Sequence, residues 1–133
     1  MKIQCGLGEK QHGCAVLVVE DEILIAIDMG YMIEDAGYDV MGPALNVDQA
    51  LKLVASHRPD AAVLDVNLNG EKVTAVAAKL IELQVPFLLC SANSRETNEE
   101  EVPLRGAVNI GKPANSGRLD KALRLLLTNA PAA

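Results

Sequence analysis

At 133 residues, half of them hydrophobic, the chain is long enough for one compact domain with a full apolar core and too short for a second. Its formal charge of −6 argues against nucleic acid or an anionic membrane surface as partner and favours an acidic site that collects a divalent cation. No apolar run approaches the roughly 20 residues that cross a bilayer; the start "MKIQCGLGEKQHG" lacks the apolar core of a secretory signal, and the cysteines are odd in number (Cys5, Cys14 and Cys90), so a cytoplasmic protein is expected.

Residues 1–13 are glycine-rich and aperiodic and read as a tail, as do residues 129–133, which leaves one domain over 14–128. Cys5, His12 and Cys14 lack C-x-x-C spacing and make a poor zinc site. The run "AVLVV" (15–19) predicts a first strand. A helix follows in which Ile25, Met29, Met32, Ile33 and Ala36 share one face before Gly37 ends it. The second strand falls near "YDVMG". Asn46 then reads as an N-cap with Gln49 three residues on, ahead of a stripe of Val47, Ala50, Leu51 and Val54, and Pro59 closes that region. "AAVLD" predicts the third strand, and Val73, Val76, Ala77 and Leu80 the next helical stripe. Pro86 precedes a fourth strand, "FLLCS", in which Cys90 reads as a small buried hydrophobe. The polar stretch 93–106, with Glu99, Glu100, Glu101 and Pro103, predicts a short or irregular fourth helix. "AVNIG" is a weaker fifth strand, and Leu119, Ala122, Leu123 and Leu126 mark the last helix. Strands alternating with helices predict an α/β fold: a five-stranded parallel sheet, doubly wound in the flavodoxin-like manner.

Asp65 ends an apolar run and opens "DVNLNG". A calcium loop of EF-hand type would need a bidentate glutamate at its twelfth position, where Val76 stands, and a helix where "AAVL" is β-like. A phosphatase of the haloacid-dehalogenase style would need an acid two residues on, where Asn67 cannot move a proton. A carboxylate that accepts a phosphoryl group needs a divalent cation and hence more acids nearby. Glu20 and Asp21 directly follow the first strand, Asp65 closes the third, Ser91 ends the fourth and Lys112 follows the fifth. In a parallel sheet all of these strand ends share one edge, where such folds place their sites.

The motifs "VVEDE" (18–22), "PDAAVLDVNLNG" (59–70), "CSA" (90–92) and "GKP" (111–113) resemble, in order and spacing, those of the receiver domain of two-component response regulators, the CheY-like family, over residues 15 to 127. The wording "DVNLNGE" and the absence of an output module are most similar to the single-domain response regulators of alphaproteobacteria. The resemblance implies that Asp65 is a phosphoacceptor, taking phosphate from a histidine kinase or histidine phosphotransfer protein, and that the protein is a signalling phosphoprotein rather than an enzyme. It further implies Mg²⁺ held by Glu20, Asp21, Asp65 and the backbone carbonyl of Asn67, with Ser91 and Lys112 as the switch hydroxyl and the charge-balancing cation. The bland alternatives are a turn cap for Asp65 and a solvated acidic N-cap for the Glu20–Asp21 pair.

Two positions depart from the family. Asn109 stands where an aromatic switch residue is usual, and Ala114 follows the Lys-Pro pair where another aromatic is common. With Tyr31, Tyr38 and Phe87 as the chain's aromatics, the usual hydroxyl-to-aromatic relay is not available. The expected output is contact with a downstream protein by a monomer or weak dimer. A phosphate sink for a shared kinase and a pseudo-receiver scaffold are the alternative functions.

Overall fold

The computed structural model describes residues 14–68, 71–90, 108, 110 and 116–128. Its elements in chain order are β1 (Ala15–Val19), α1 (Ile23–Asp35), β2 (Asp39–Ala44), α2 (Val47–Ser56), β3 (Ala61–Leu64), β4 (Asn67–Leu68), β5 (Glu71–Lys72), α3 (Thr74–Glu82), β6 (Phe87–Leu89) and α4 (Ser116–Thr128). The tails and the 93–106 stretch expected to form an irregular helix lie outside the described residues.

The main sheet is parallel, in the order β2-β1-β3-β6. Its inner strands, "AVLVV" and "AAVL", read as continuous apolar runs because both of their faces are covered. Val16, Val18, Ala61 and Val63 face a core shared with Ala26, Met29 and Ile33 of α1 and Leu119, Leu123 and Leu127 of α4. Leu17, Val19, Ala62 and Leu64 face the opposite core, with Ala50 and Val54 of α2 and Val76, Ala77 and Leu80 of α3. Each such Leu or Val taken wholly from water contributes about 1.5–3 kcal/mol, which is why these strands need no polar alternation.

The expected sheet of five strands is corrected here to four among the described residues. Leu89 N–H donates to the Val108 carbonyl at 2.8 Å and Ile110 N–H donates to the Leu89 carbonyl at 2.9 Å, the slanted exchange of a parallel ladder. These two residues are the described part of the "AVNIG" run, and a strand needs consecutive rungs.

Local signals account for most element ends. Asn46 Oδ1 accepts the Gln49 N–H at 2.8 Å, and Gln49 Oε1 accepts the Leu45 N–H at 2.8 Å, one residue ahead of the cap. Gly37 takes φ 99° just past α1, the left-handed conformation that ends helices. Arg58 donates to the carbonyls of Leu83 and Gln84, both at 3.0 Å, which caps the end of α3 from the turn before β3. Cys14, buried at the foot of β1, is disulfide-bonded, whereas Cys90 is buried and takes part in no disulfide.

Two features escaped the sequence reading. A small antiparallel hairpin, β4 with β5, stands between Asp65 and α3. In addition, β2 runs on past Gly42 to Ala44, with a register shift opposite Leu17–Val19. Gly42 holds φ +104°, and a Cβ there would lie 2.8 Å from the Ala44 backbone nitrogen and 3.2 Å from the Val18 carbonyl.

The two glycines that the sheet touches should answer differently to the same change. Gly30 lies inside α1, where a Cβ would meet Val40 at 3.8 Å, an ordinary contact, so Gly30→Ala should raise stability by about 0.5–1 kcal/mol. Gly42→Ala should lower it by about 2 kcal/mol or more. Urea unfolding midpoints measure both; equal shifts of one sign would contradict this account of β2.

Candidate functional site

The site is built on hydrogen bonds that continue the parallel ladder one residue past each strand. Glu20 N–H donates to the Ala44 carbonyl at 3.0 Å, Asp65 N–H to Val19 at 2.9 Å, and Cys90 N–H to Leu64 at 2.8 Å. The residue after each strand is thereby fixed to the last residue of its neighbour. The first of these bonds depends on the shift in β2, which sets Ala44 opposite Val19 and so brings its carbonyl level with Glu20.

From that edge Glu20, Asp21 and Asp65 each offer one carboxylate oxygen, and these atoms lie within 4.8 Å of one another. Glu20 is 0% exposed and Asp65 7%, while Asp21 is half-buried. Oε2 of Glu20 accepts the backbone N–H of Glu22 at 3.1 Å. Glu22 is the N-cap residue of α1 and makes no side-chain capping bond. The turn before α1 is therefore acidic, but its first acid is not the solvated cap that a bland reading supposes. Asp65 does not cap a helix either, since the β4–β5 hairpin intervenes before α3 begins at Thr74.

Magnitudes say what such a cluster requires. Two unit negative charges 4.8 Å apart repel by about 3.5 kcal/mol at an effective dielectric constant of 20. Three such pairs approach the whole net stability of a domain, about 5–15 kcal/mol. The arrangement is tolerable when a cation or a proton offsets the charge. Oxygen donors alone, with no sulfur or imidazole among the three, suit a hard divalent cation.

Asn67 begins β4, with Lys72 opposite it, so its backbone follows Asp65 by two residues along a paired segment. Ser91, Asn109 and Lys112 lie outside the described residues; their described neighbours, Cys90 and Ile110, are both buried and tied to the sheet edge by the bonds given above. The described residues thus bring together three of the seven positions singled out from sequence. The hairpin was readable in principle, because Asn-Gly between two short extended segments is the commonest two-residue hairpin turn, and residues 69 and 70 are Asn and Gly. Strands of two residues carry no periodicity to announce them. No helix among the described residues is long and apolar enough to cross a membrane.

Comparison with known proteins was made on this basis. Residues 16–124 match the family described as response regulator receiver domain. Among curated proteins, the chain is 28% identical over 115 residues to the transcriptional regulatory protein PdtaR of Mycobacterium tuberculosis, covering 85% of this chain and 56% of that protein. It is 30% identical over 105 residues to the phyllosphere-induced regulator PhyR of Methylorubrum extorquens, covering 75% of this chain and 39% of that protein. The chain thus spans about half the length, or less, of these relatives. Among solved structures, the receiver domain of the PhyR response regulator from Erythrobacter litoralis superposes with a TM-score of 0.80 over 90% of this chain and 95% of that one, at 23% identity, a likeness of fold. A family match over most of the chain, on a fold of the same kind, places this protein in the response regulator receiver domain family of two-component signal transduction.

Proposed function

We propose that residues 14–128 act as a phosphorylated receiver, in which Asp65 accepts a phosphoryl group from a phosphohistidine on a histidine kinase or phosphotransfer protein. The observation that carries this reading is the three-carboxylate cluster at the strand ends of a receiver-family chain, with Asp65 a nearly buried member of it. A carboxylate oxygen of Asp65 attacks phosphorus, the P–N bond breaks, the imidazole leaves with a proton, and water later hydrolyses the acyl phosphate. Glu20, Asp21, Asp65 and the backbone carbonyl of Asn67 would hold a Mg²⁺, which would screen the phosphoryl oxygens as Asp65 approaches phosphorus. Lys112 then offsets phosphoryl charge and Ser91 donates to a phosphoryl oxygen. The protein works as a cytoplasmic signalling module, where the bond at Cys14 would be reduced, and its output is contact with a protein partner.

One residue favours a second reading. Asn109 replaces the aromatic that relays phosphorylation in this family, which suits a phosphate sink that drains a shared kinase. A scaffold without phosphorylation would have no use for the charge cost of keeping Glu20, Asp21 and Asp65 together.

Four measurements test these readings. Incubation with acetyl phosphate and Mg²⁺ should label the wild type on a phosphate-affinity gel and leave Asp65→Asn unlabelled; an unlabelled wild type, or an equally labelled variant, would refute Asp65 as acceptor. The lifetime of the labelled protein separates the outputs, since a phosphoryl group that persists for many minutes is incompatible with a sink. Mg²⁺ at ten times its Kd should stabilise the protein by about 1.4 kcal/mol, roughly 4 °C in Tm, and Asp21→Asn should abolish that gain. Without Mg²⁺ the order reverses: Asp65→Asn removes like-charge repulsion and should melt above the wild type by several degrees, so a lower melting point would show that the cluster is not under strain.

A further inference from the structure

The hairpin that follows Asp65 brings a basic residue toward the carboxylate cluster. Asn67 pairs with Lys72 and Leu68 with Glu71, and the Val73 N–H donates to the Val66 carbonyl at 3.1 Å, one rung nearer to Asp65. Alternation along these segments fixes which way each position faces. Leu64, Val66, Leu68 and Val73 are all buried in the core that the sheet shares with α2 and α3. Successive positions of an extended chain face opposite ways, so positions 65 and 72 share the face turned from that core. Asp65 is there a member of the carboxylate cluster, and Lys72 is exposed.

Lys72 and Asp65 are diagonal neighbours, because the residue directly opposite Lys72 is Asn67, two positions past Asp65. Diagonal neighbours across an antiparallel pair have Cβ atoms roughly 7–8 Å apart or less, a span that long side chains cross. A lysine ammonium on its flexible alkyl stem is suited to crossing it. Of the lysines and arginines among the described residues, Lys72 is the one on the segment between Asp65 and α3. Lys52 and Lys79 are paired with Asp48 and Glu82 of their own helices, and Arg58 donates to the carbonyls that end α3.

We propose that Lys72 is a positioning residue for phosphoryl uptake, its ammonium admitting the dianionic phosphoryl group of an acyl phosphate donor to Asp65; this rests on Asp65 being the acceptor. The need for it is electrostatic. Glu20, Asp21 and Asp65 carry three negative charges when ionised, two of which a bound divalent cation would offset. The remaining charge repels an incoming dianion, and a cation on the open side of the cluster cancels that repulsion. Lys72 neither gives nor takes a proton. A carboxylate oxygen of Asp65 bonds to phosphorus, the P–O bond to the acyl group breaks, and the donor's carboxylate leaves with the electron pair. The same ammonium repels a metal ion held by the cluster. Lys72 thus acts with opposite signs on the two ligands of the site, favouring the anion and opposing the cation.

Two measurements with ligands of opposite charge test this. Uptake from acetyl phosphate, at low ionic strength and with Mg²⁺ saturating each variant, should slow about threefold in Lys72→Ala and about tenfold in Lys72→Glu, with Lys72→Arg close to wild type. These differences should close at about 0.5 M salt, which screens charges this far apart. Mg²⁺ binding without a donor, followed by calorimetric titration, should move the other way, tightening about threefold in Lys72→Ala and about tenfold in Lys72→Glu. A disrupted hairpin would weaken both ligands, so slower uptake together with weaker Mg²⁺ binding overturns the proposal. Uptake indifferent to the charge at position 72 overturns it equally. A wild type that takes up no phosphoryl group refutes Asp65 as the acceptor and the role of Lys72 with it, whereas a labelled wild type beside indifferent variants overturns the role of Lys72 alone.

Discussion

The ladder bonds beyond the strand ends are the constraint on which the site rests. A side chain on an ordinary loop costs entropy to hold in place and drifts when its neighbours repel it. Here Glu20 and Asp65 are each one residue past a strand and still bonded to the sheet, Glu20 to Ala44 and Asp65 to Val19. Their Cα positions are set by main-chain hydrogen bonds in a core-covered sheet, so the carboxylates cannot relax apart by moving the backbone. That is how three acidic groups come to lie within 4.8 Å of one another. The folding energy for this comes from the apolar strands on both sides of the sheet, which is a division of labour between core and site.

The same logic gives the irregularity of β2 a purpose. An unbroken strand would carry the Leu17–Met41 register forward, so that Val19 would face Pro43. The shift at Gly42–Pro43 brings Ala44 there instead, and its carbonyl becomes the acceptor for Glu20. Gly42 can do this because it holds φ +104° and because its missing Cβ leaves room for the Ala44 nitrogen and the Val18 carbonyl. A residue on the outermost strand of the sheet, never adjacent to Asp65 in sequence, thus sets the height of the first acid of the cluster.

What was legible in the sequence follows from how many residues each signal occupies. The inner strands are four- and five-residue apolar runs, the helical stripes repeat over two turns, and Asn46 with Gln49 is a capping pair with a definite bonding pattern; all of these were readable and the structure has them. Features carried by one or two residues were easily passed over. The β4–β5 hairpin has two residues a side, the β2 shift is a Gly-Pro step that also reads as an ordinary turn, and the fifth run has a polar Asn109 at its middle, so it gave the weakest strand signal and has no assigned strand among the described residues. The clustering of Glu20, Asp21 and Asp65 could be anticipated because parallel strands deliver their carboxyl ends to one edge. The complete burial of Glu20 could not, since nothing local distinguishes it from Asp21 or Glu22; it follows from the rung to Ala44, which turns the residue inward.

Glu20 also links Asp65 to the first helix. Coulomb interaction falls with distance and is strongest where water is excluded, so the buried carboxylate of Glu20 is strongly coupled to Asp65. Oε2 of that carboxylate holds the N–H of Glu22, and Glu22 caps α1 with no side-chain bond of its own. One carboxylate contact and one hydrogen bond therefore separate Asp65 from the start of the helix that carries Leu24 and Tyr31 on its outer face. Among the described residues this is a bonded route from Asp65 to an outer surface, and it runs through a residue that the rung to Ala44 fixes to the sheet.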